Sequence, residues 1–426
     1  MQIRHVLTLD GRLLFATRIV RLFAYGFLSV VLVLYLVQVG LTETEIGLLL
    51  TLTLIGDTAI SLWMTTNADR MGRRKMLIVG AGLMVFAGVL FTVTGNFVLL
   101  VVAAIIGVIS PSGNEVGPFL SIEQSALSQI VPDEQRTQVF AWYNLVGSFA
   151  TALGALGSGV LAHTLQSAAT TPLDSYRTIV MLYAGLGLSL GLLFTRLSPA
   201  TESHATSVQR RFGLHRSRRV VLRLSSLFAL DAFAGGFVMQ SIIAYWFYLR
   251  FGVEPAVLGS IFFGANILAG LSALAAARIA ERVGLINTMV FTHIPSNILL
   301  ILVPLMPSLP LAIAVLLLRF SISQMDVPTR QSYTMAVVDS DERSAAAGVT
   351  GVARTIGAAL APVFTGPMLA SSALLSVPFF LAGGLKITYD LILYGNFRAL
   401  RPPEETGKPT QAAARPVDKP RIPTPK

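Results

Sequence analysis

The feature that most constrains this chain is a repetition of apolar runs, each about as long as a bilayer is thick and each ended by a short polar or glycine-containing break. A helix advances about 1.5 Å per residue, so roughly 20 apolar residues cross the hydrocarbon core with every backbone group paired inside the segment. The runs lie near 14–39, 46–67, 76–95, 97–120, 138–163 and 177–197, and again near 224–249, 256–279, 286–306, 310–336, 345–369 and 373–396. They predict an all-α membrane protein of twelve transmembrane helices. Composition agrees, with only 13% charged residues and a mean hydropathy of +0.69; a soluble domain carries about 25% charged residues.

The largest break, 198–221, is polar and carries Arg210, Arg211, Arg216, Arg218 and Arg219. It divides the chain into an N-terminal six-helix bundle over 1–197, a basic linker, and a second bundle over 222–398. The residues after them, 399–426, are Pro-rich and basic without apolar periodicity, and are read as a disordered tail. The first run follows Arg4, His5 and Arg12 and continues to Gly40, too long for a cleavable signal core, so it is expected to remain as the first helix. With both termini in the cytoplasm, only Arg177 and Arg250 fall on the opposite face, which is the positive-inside asymmetry of a multi-pass protein of the cytoplasmic (inner) membrane. The net charge of +10 then belongs to these loops, and no nucleic-acid partner is expected.

The chain has no cysteine, so disulfides, thiolate metal sites and cysteine nucleophiles are excluded, and its five histidines form no metal-ligand spacing. No G-x-x-x-x-G-K-[ST] loop exists, and Gly185, Gly187 and Gly191 follow no strand, so they read as close helix packing. Neither an enzyme nor an ATP-driven pump is indicated. The energy source is an ion gradient, with protons expected, and no cofactor or metal is required.

Residues 67–75 read N-A-D-R-M-G-R-R-K between two apolar runs, a charged turn that belongs at a membrane face because charge at the bilayer centre costs about 3 kcal/mol or more. An echo, Glu281-Arg282-Val283-Gly284, follows 212 residues on. Gly40 and Gly47 recur as Gly252 and Gly259 at that offset; Gln124-Ser125, Val131, Arg136 and Gly159 recur as Gln331-Ser332, Val338, Arg343 and Gly366 at an offset of 207. The order of these matches indicates duplication. Two six-helix halves, this turn, its echo and a basic central loop resemble the major facilitator superfamily over roughly residues 10–400. The resemblance implies two parallel halves with substrate bound at mid-membrane and alternating access by rocking. It also implies that the charged turn latches the cytoplasmic side against the eleventh helix. Carried over, Asp69 is the latch acid, Gly72 the turn, and Arg70 and Arg73 its partners, with Glu281, Arg282 and Gly284 as the second copy. Three departures are visible, one being that the R-x-x-Q-G pattern carried by proton-coupled exporters of the family on the fourth helix is lacking. The glycine that opens the family motif is Thr65 here, and the exporters' fifth-helix pattern survives only in part, as Gly154-Ala155-Leu156-Gly157-Ser158-Gly159.

Charges inside spans are informative because lipid penalises each one that lacks a partner or a wet cavity. They are Arg18, Arg21, Asp57, Glu115, Glu123, Asp231, Arg319, Asp326, Arg330, Arg354, Lys386 and Asp390. In the family the first, fourth, seventh and tenth helices line the cavity, and most of these charges sit there. A continuous tenth helix places Arg319, Asp326 and Arg330 on one stripe within about 40°. Arg21 and Asp231 occupy duplicate positions of opposite sign, as do Glu123 and Arg330, and Arg21 is expected to pair with Asp231 across the halves in at least one state. Counted along straight spans, Arg21 and Asp231 lie about 12–14 Å inside the cytoplasmic face, with Glu123 and Arg330 near its mouth. Lys386 and Asp390, four residues apart, are expected to satisfy each other. Asp57 has no evident partner and is a candidate proton carrier, and 110–115 is expected to break the fourth helix and bring Glu115 into the cavity.

The reading is a secondary active transporter of a small solute, proton-coupled, leaning to efflux and working as a monomer in the bilayer. The alternatives are import of a small organic or inorganic anion, neutralised by Arg18, Arg21, Arg319 and Arg330, and a non-transporting receptor or assembly factor on the same scaffold. The last would not need Asp69 and Gly72 as a latch.

Overall fold

The computed structural model describes residues 7–115, 117–202, 215–339 and 342–398, apart from the side chains of Asp133, Glu134, Thr137 and Ser344. Most of the basic linker, including Arg210 and Arg211, and the whole of 399–426 lie outside the described residues. Every regular element described is helical. The first half contains α1 (Leu9–Ser29), α2 (Leu32–Val39), α3 (Glu43–Met71), α4 (Arg73–Val93), α5 (Phe97–Ile106), α6 (Phe119–Ile130), α7 (Asp133–Ser167) and α8 (Pro172–Phe194). The second contains α9 (Arg218–Gly236), α10 (Gln240–Phe251), α11 (Pro255–Val283), α12 (Leu285–Leu302), α13 (Leu309–Phe320), α14 (Asp326–Ala336), α15 (Arg343–Leu360), α16 (Pro362–Leu369) and α17 (Val377–Phe397).

Among the described residues nine helices are long and apolar enough to cross a membrane, ten when α1 and α2, bent by 48°, count as one span. The two expected spans that do not qualify are the fourth and the tenth. Each is cut into a short apolar helix and a polar one, α5 with α6 and α13 with α14. The first cut holds Pro111 and two glycines at positive φ, Gly113 and Gly117, and proline cannot donate to a helical ladder. Irregular backbone at this depth persists only where side chains satisfy it. Here the Tyr183 hydroxyl donates to the Val108 carbonyl at 2.6 Å, Ser110 Oγ to the Asn114 carbonyl at 2.7 Å, and the Gly117 N–H donates to Asp57 at 2.6 Å.

The duplication is visible in the packing. In the first half α1 packs on α7 and α4 on α8; in the second α9 packs on α15 and α12 on α17. Between the halves, α7 runs along α11, and α3 along α15 and α16. The recurring glycines lie where these pairs cross. A Cβ on Gly47 would meet the Pro362 carbonyl oxygen at 2.4 Å and one on Gly366 the Glu43 oxygen at 2.4 Å; the duplicates, Gly259 and Gly159, would meet the oxygens of Ala155 at 2.7 Å and Pro255 at 2.4 Å. Only glycine lets the backbones approach so closely. Hydrogen bonds join the halves on the same face: Gln240 Nε2 to Ser29 Oγ at 2.8 Å, the Tyr245 hydroxyl to Glu43 at 2.8 Å, and the Val363 N–H to Thr51 Oγ1 at 2.9 Å. The halves therefore meet on the face away from the two charged turns.

Candidate functional site

At the first charged turn Gly72 has φ +101° and its duplicate Gly284 φ +88°, a region that side chains reach only with strain. The first free N–H groups of α4, at Arg73 and Arg74, donate to the Glu202 carboxylate at 2.7 and 3.2 Å. Arg73 also reaches Asp69 at 2.9 Å and Gln129 at 2.7 Å, and Gln129 Nε2 donates to the Glu202 carbonyl at 3.1 Å. Asp69 itself is 63% exposed, with Arg73 as its ion-pair partner. Arg70, Glu281 and Arg282 make no ion pair among the described residues, so in this conformation the turn is held within its own half.

The second linker-end contact is its mirror. Glu342, just before α15, accepts the N–H groups of His215, Arg216 (2.9 Å) and Ser217 (2.9 Å) at the start of α9. Burial alone would raise its carboxyl, but these donors hold it down to about 2.

The buried charges gather into two clusters, one per half. In the first, the two guanidinium Nη atoms of Arg21 face the two carboxylate oxygens of Glu123, each at 2.7 Å, and Nη2 also reaches Glu115 at 3.0 Å. Both Arg21 and Glu123 are fully buried. Glu123 accepts further bonds from the hydroxyls of Thr17 (2.8 Å) and Tyr143. Arg18 donates to Glu115 at 2.7 Å, to the Tyr143 carbonyl at 2.7 Å and to Asn144 at 3.2 Å, with its guanidinium over the Tyr143 ring. Bidentate pairing is the form in which buried charge is best tolerated, although Arg21 Nε and Glu115 Oε2 are buried here without a hydrogen-bond partner.

In the second cluster Asp231 on α9 is the hub. One oxygen takes Lys386 at 2.5 Å and faces His293 Nε2 at 3.9 Å; the other takes Arg354 at 3.1 Å and Arg330 at 3.3 Å. Arg330 also reaches Asp326 at 2.6 Å. Asp390 is held by His293 Nδ1 at 2.9 Å and Asn297 Nδ2 at 3.2 Å.

This arrangement corrects several expectations. Lys386 and Asp390 do not pair, because Asp231 and His293 from facing helices outcompete the neighbour on the same helix. Arg21 and Asp231 belong to different clusters in this conformation, which leaves their expected pairing in another state untested, and Glu123 and Arg330 close within their own halves. Glu123 on α6 reaches Arg21 and Arg330 on α14 reaches Asp231, each beyond the break that precedes its helix. The same break removes the continuous stripe on the tenth helix: Arg319, at the end of α13, makes no hydrogen bond or ion pair among the described residues, and its Nε is buried without a partner. Asp57 is not partnerless, since it holds the Gly117 N–H and accepts from Ser61 Oγ at 3.4 Å. Glu115 is delivered to the cluster by the break in the fourth span, as its sequence suggested.

Sequence reasoning passed over Glu202, His293, Asn297 and Tyr143. His293 had a signal, since it is a polar residue within an apolar run, but a search for formal charge overlooks a neutral imidazole.

Comparison with known proteins follows from this geometry. A sequence model of the Major Facilitator Superfamily matches residues 14–362. An uncharacterized membrane protein of Saccharomyces cerevisiae is 33% identical over 417 residues, covering 90% of this chain and 93% of that one. The quinolone resistance protein NorA of Staphylococcus aureus is 26% identical over 137 residues, 32% of this chain and 34% of its own. Among solved structures, a D-xylose–proton symporter superposes with a TM-score of 0.69 at 15% identity, covering 90% of this chain and 97% of that one.

Proposed function

Since this chain belongs to the major facilitator superfamily, we propose that it is a proton-coupled secondary transporter that exports a small solute by alternating access. The observation that carries this reading is the pair of buried charge clusters, each with one arm partly open to solvent: the Glu115 side chain is 17% exposed and that of Arg354 34%. Charge buried at this density within the spans supports ion or substrate handling rather than stability, which apolar packing would serve better. The conformation closed at the glycine crossings is one end of the cycle. Release of those crossings and engagement of the charged turn, with Asp69 as the latch acid, is the other. Both termini are in the cytoplasm, the protein acts as a monomer in the cytoplasmic membrane, and the driving force is the proton gradient without a cofactor. The lean to export is supported by the partial likeness to a quinolone resistance protein.

A second reading, transport of an anion, is favoured by Arg319, whose Nε is buried without a hydrogen-bond partner. Uptake into proteoliposomes under an imposed pH gradient, screened with cationic, anionic and neutral amphiphilic probes, tests both. Gradient-driven movement of a cationic or neutral probe out of the termini's compartment supports the first, movement of an anion the second. Failure of every probe to accumulate would return the receptor alternative to the front.

A further inference from the structure

His293 is the one titratable group in the second cluster that the sequence reading left unused. It is 5% exposed, and both carboxylates it faces, Asp231 and Asp390, are buried. The three acids of the cluster, Asp231, Asp326 and Asp390, balance the three cations Arg330, Arg354 and Lys386 when the imidazole is neutral. In that state Nδ1–H donates to Asp390, and the lone pair on Nε2 points toward an Asp231 oxygen 3.9 Å away. Two electron-rich atoms then face each other in a dry site. A proton on Nε2 turns that contact into an attraction.

We propose, resting on the proton-driven reading above, that His293 is the proton-binding group of the second half and that its proton loosens the link from Asp231 to Arg354. The groups around it are fixed by its neighbours. From α17 come Lys386, Asp390, the Tyr389 ring at 6.1 Å and, a turn further on, Tyr394. The cluster adds Asp326 and Arg330 from α14, Asp231 from α9 and Arg354 from α15, and the helices α14 and α13, which pack on α12, also carry Tyr333 and Arg319. On α11 the titratable residues Arg278, Glu281 and Arg282 lie in its last two turns, toward Gly284. Within this set the new cation competes with Lys386 for one Asp231 oxygen, and Asp390, four residues from Lys386 on α17 and already bonded to His293 and Asn297, is the other carboxylate within the cluster. The added positive charge repels the other cations on Asp231, and Arg354, the most exposed of them at 34%, is the one free to move away. Arg354 joins α9 to α15, and α15 with α16 packs on α3 of the other half, so the proton is coupled to the contact between the halves.

The test needs no substrate. The full-length chain has no cysteine, so cysteines placed at the exposed Met71 and Val283, beside the two charged turns, carry spin labels without background. In nanodiscs the distance between them is measured by pulsed electron resonance from about pH 5 to about pH 8, the range in which histidine titrates. The labelled chain should shift between two distance populations across this range, and His293→Gln should abolish the shift. Asp390→Asn, which keeps the shape of the contact but removes its charge, should move the midpoint. An unchanged midpoint in His293→Gln, or no pH dependence in the unsubstituted chain, overturns the proposal. If His293→Gln does not fold, an unchanged midpoint in Asp390→Asn does the same. The probe screen separates this outcome from the transport reading: gradient-driven accumulation that persists in His293→Gln removes the histidine and leaves proton-coupled transport standing.

Discussion

Arg21 pairs with Glu123, and at the duplicate positions Asp231 pairs with Arg330, so the same interaction is built twice with its charges exchanged. In the first half the cation is on α1 and the acid on α6; in the second the acid is on α9 and the cation on α14. The first pair is dry and bidentate, the second is longer and shared with Lys386 and Arg354. The first half is therefore the rigid member, and the second the one whose charges have alternative partners.

From this asymmetry follows a stability prediction. Arg21→Ala and Glu123→Gln each strand a buried charge, which costs about 3–5 kcal/mol. Each should lower the thermal unfolding midpoint in detergent markedly, and the double change Arg21→Met with Glu123→Met should be more stable than either single change. A double-mutant cycle between Arg21 and Asp231 in this conformation should give a coupling below about 0.5 kcal/mol. Singles that melt with the unsubstituted protein would remove the pair as a structural element.

The charged turn separates latch from fold. Asp69 is exposed and its pair with Arg73 is worth at most about 1 kcal/mol, so Asp69→Asn should leave unfolding unchanged and depress transport steeply. Gly72→Leu forces a side chain into φ +101° and should cost about 1–2 kcal/mol as well as transport. Normal transport by a well-expressed Asp69→Asn protein would refute the latch.

The glycine crossings make a conformational prediction. Gly47→Leu places atoms where the Pro362 carbonyl now lies, so the face away from the charged turns cannot close as it does here. A cysteine at Leu50, now buried beside the crossing, should react faster with an impermeant maleimide in the Gly47→Leu background. Equal rates would count against the crossing as the closed gate.

Glu342 makes a pH prediction. Its folded carboxyl is held down to about 2 against an ordinary 4.5. The contribution to stability is thus present above about pH 4.5 and is lost as pH falls through about 2. Hydrogen exchange at the amides of Arg216 and Ser217 should be slow at pH 5 and faster toward pH 2, where the intrinsic rate is corrected for, whereas Glu342→Gln should exchange fast throughout.

Much of the fold was legible because lipid imposes a coarse code. Long apolar runs can only be spans, tight charged turns can only be at a face, and Gly47, Gly159, Gly259 and Gly366 recur because two backbones must cross at each duplicate site. The break in the fourth span could be read from Pro111 and Gly113. The break before Asp326 could not, since 321–325 holds neither proline nor glycine, and the helix stripe assumed for Arg319, Asp326 and Arg330 failed there.

The amino-acid sequence by itself determined the membrane class, the duplicated halves, the charged turn and its echo, and many of the ionisable groups that are buried, though not His293. Those follow from local transfer energies and from periodicity, which a single chain carries along its length. Only the tertiary structure decided which charge meets which: Arg21 with Glu123 and not Asp231, Lys386 with Asp231 and not Asp390, His293 between two carboxylates, and Asp57 on the Gly117 amide. Pairing between helices depends on rotation and depth to within a few ångströms, and two broken spans shift both by more than any count along straight helices can follow.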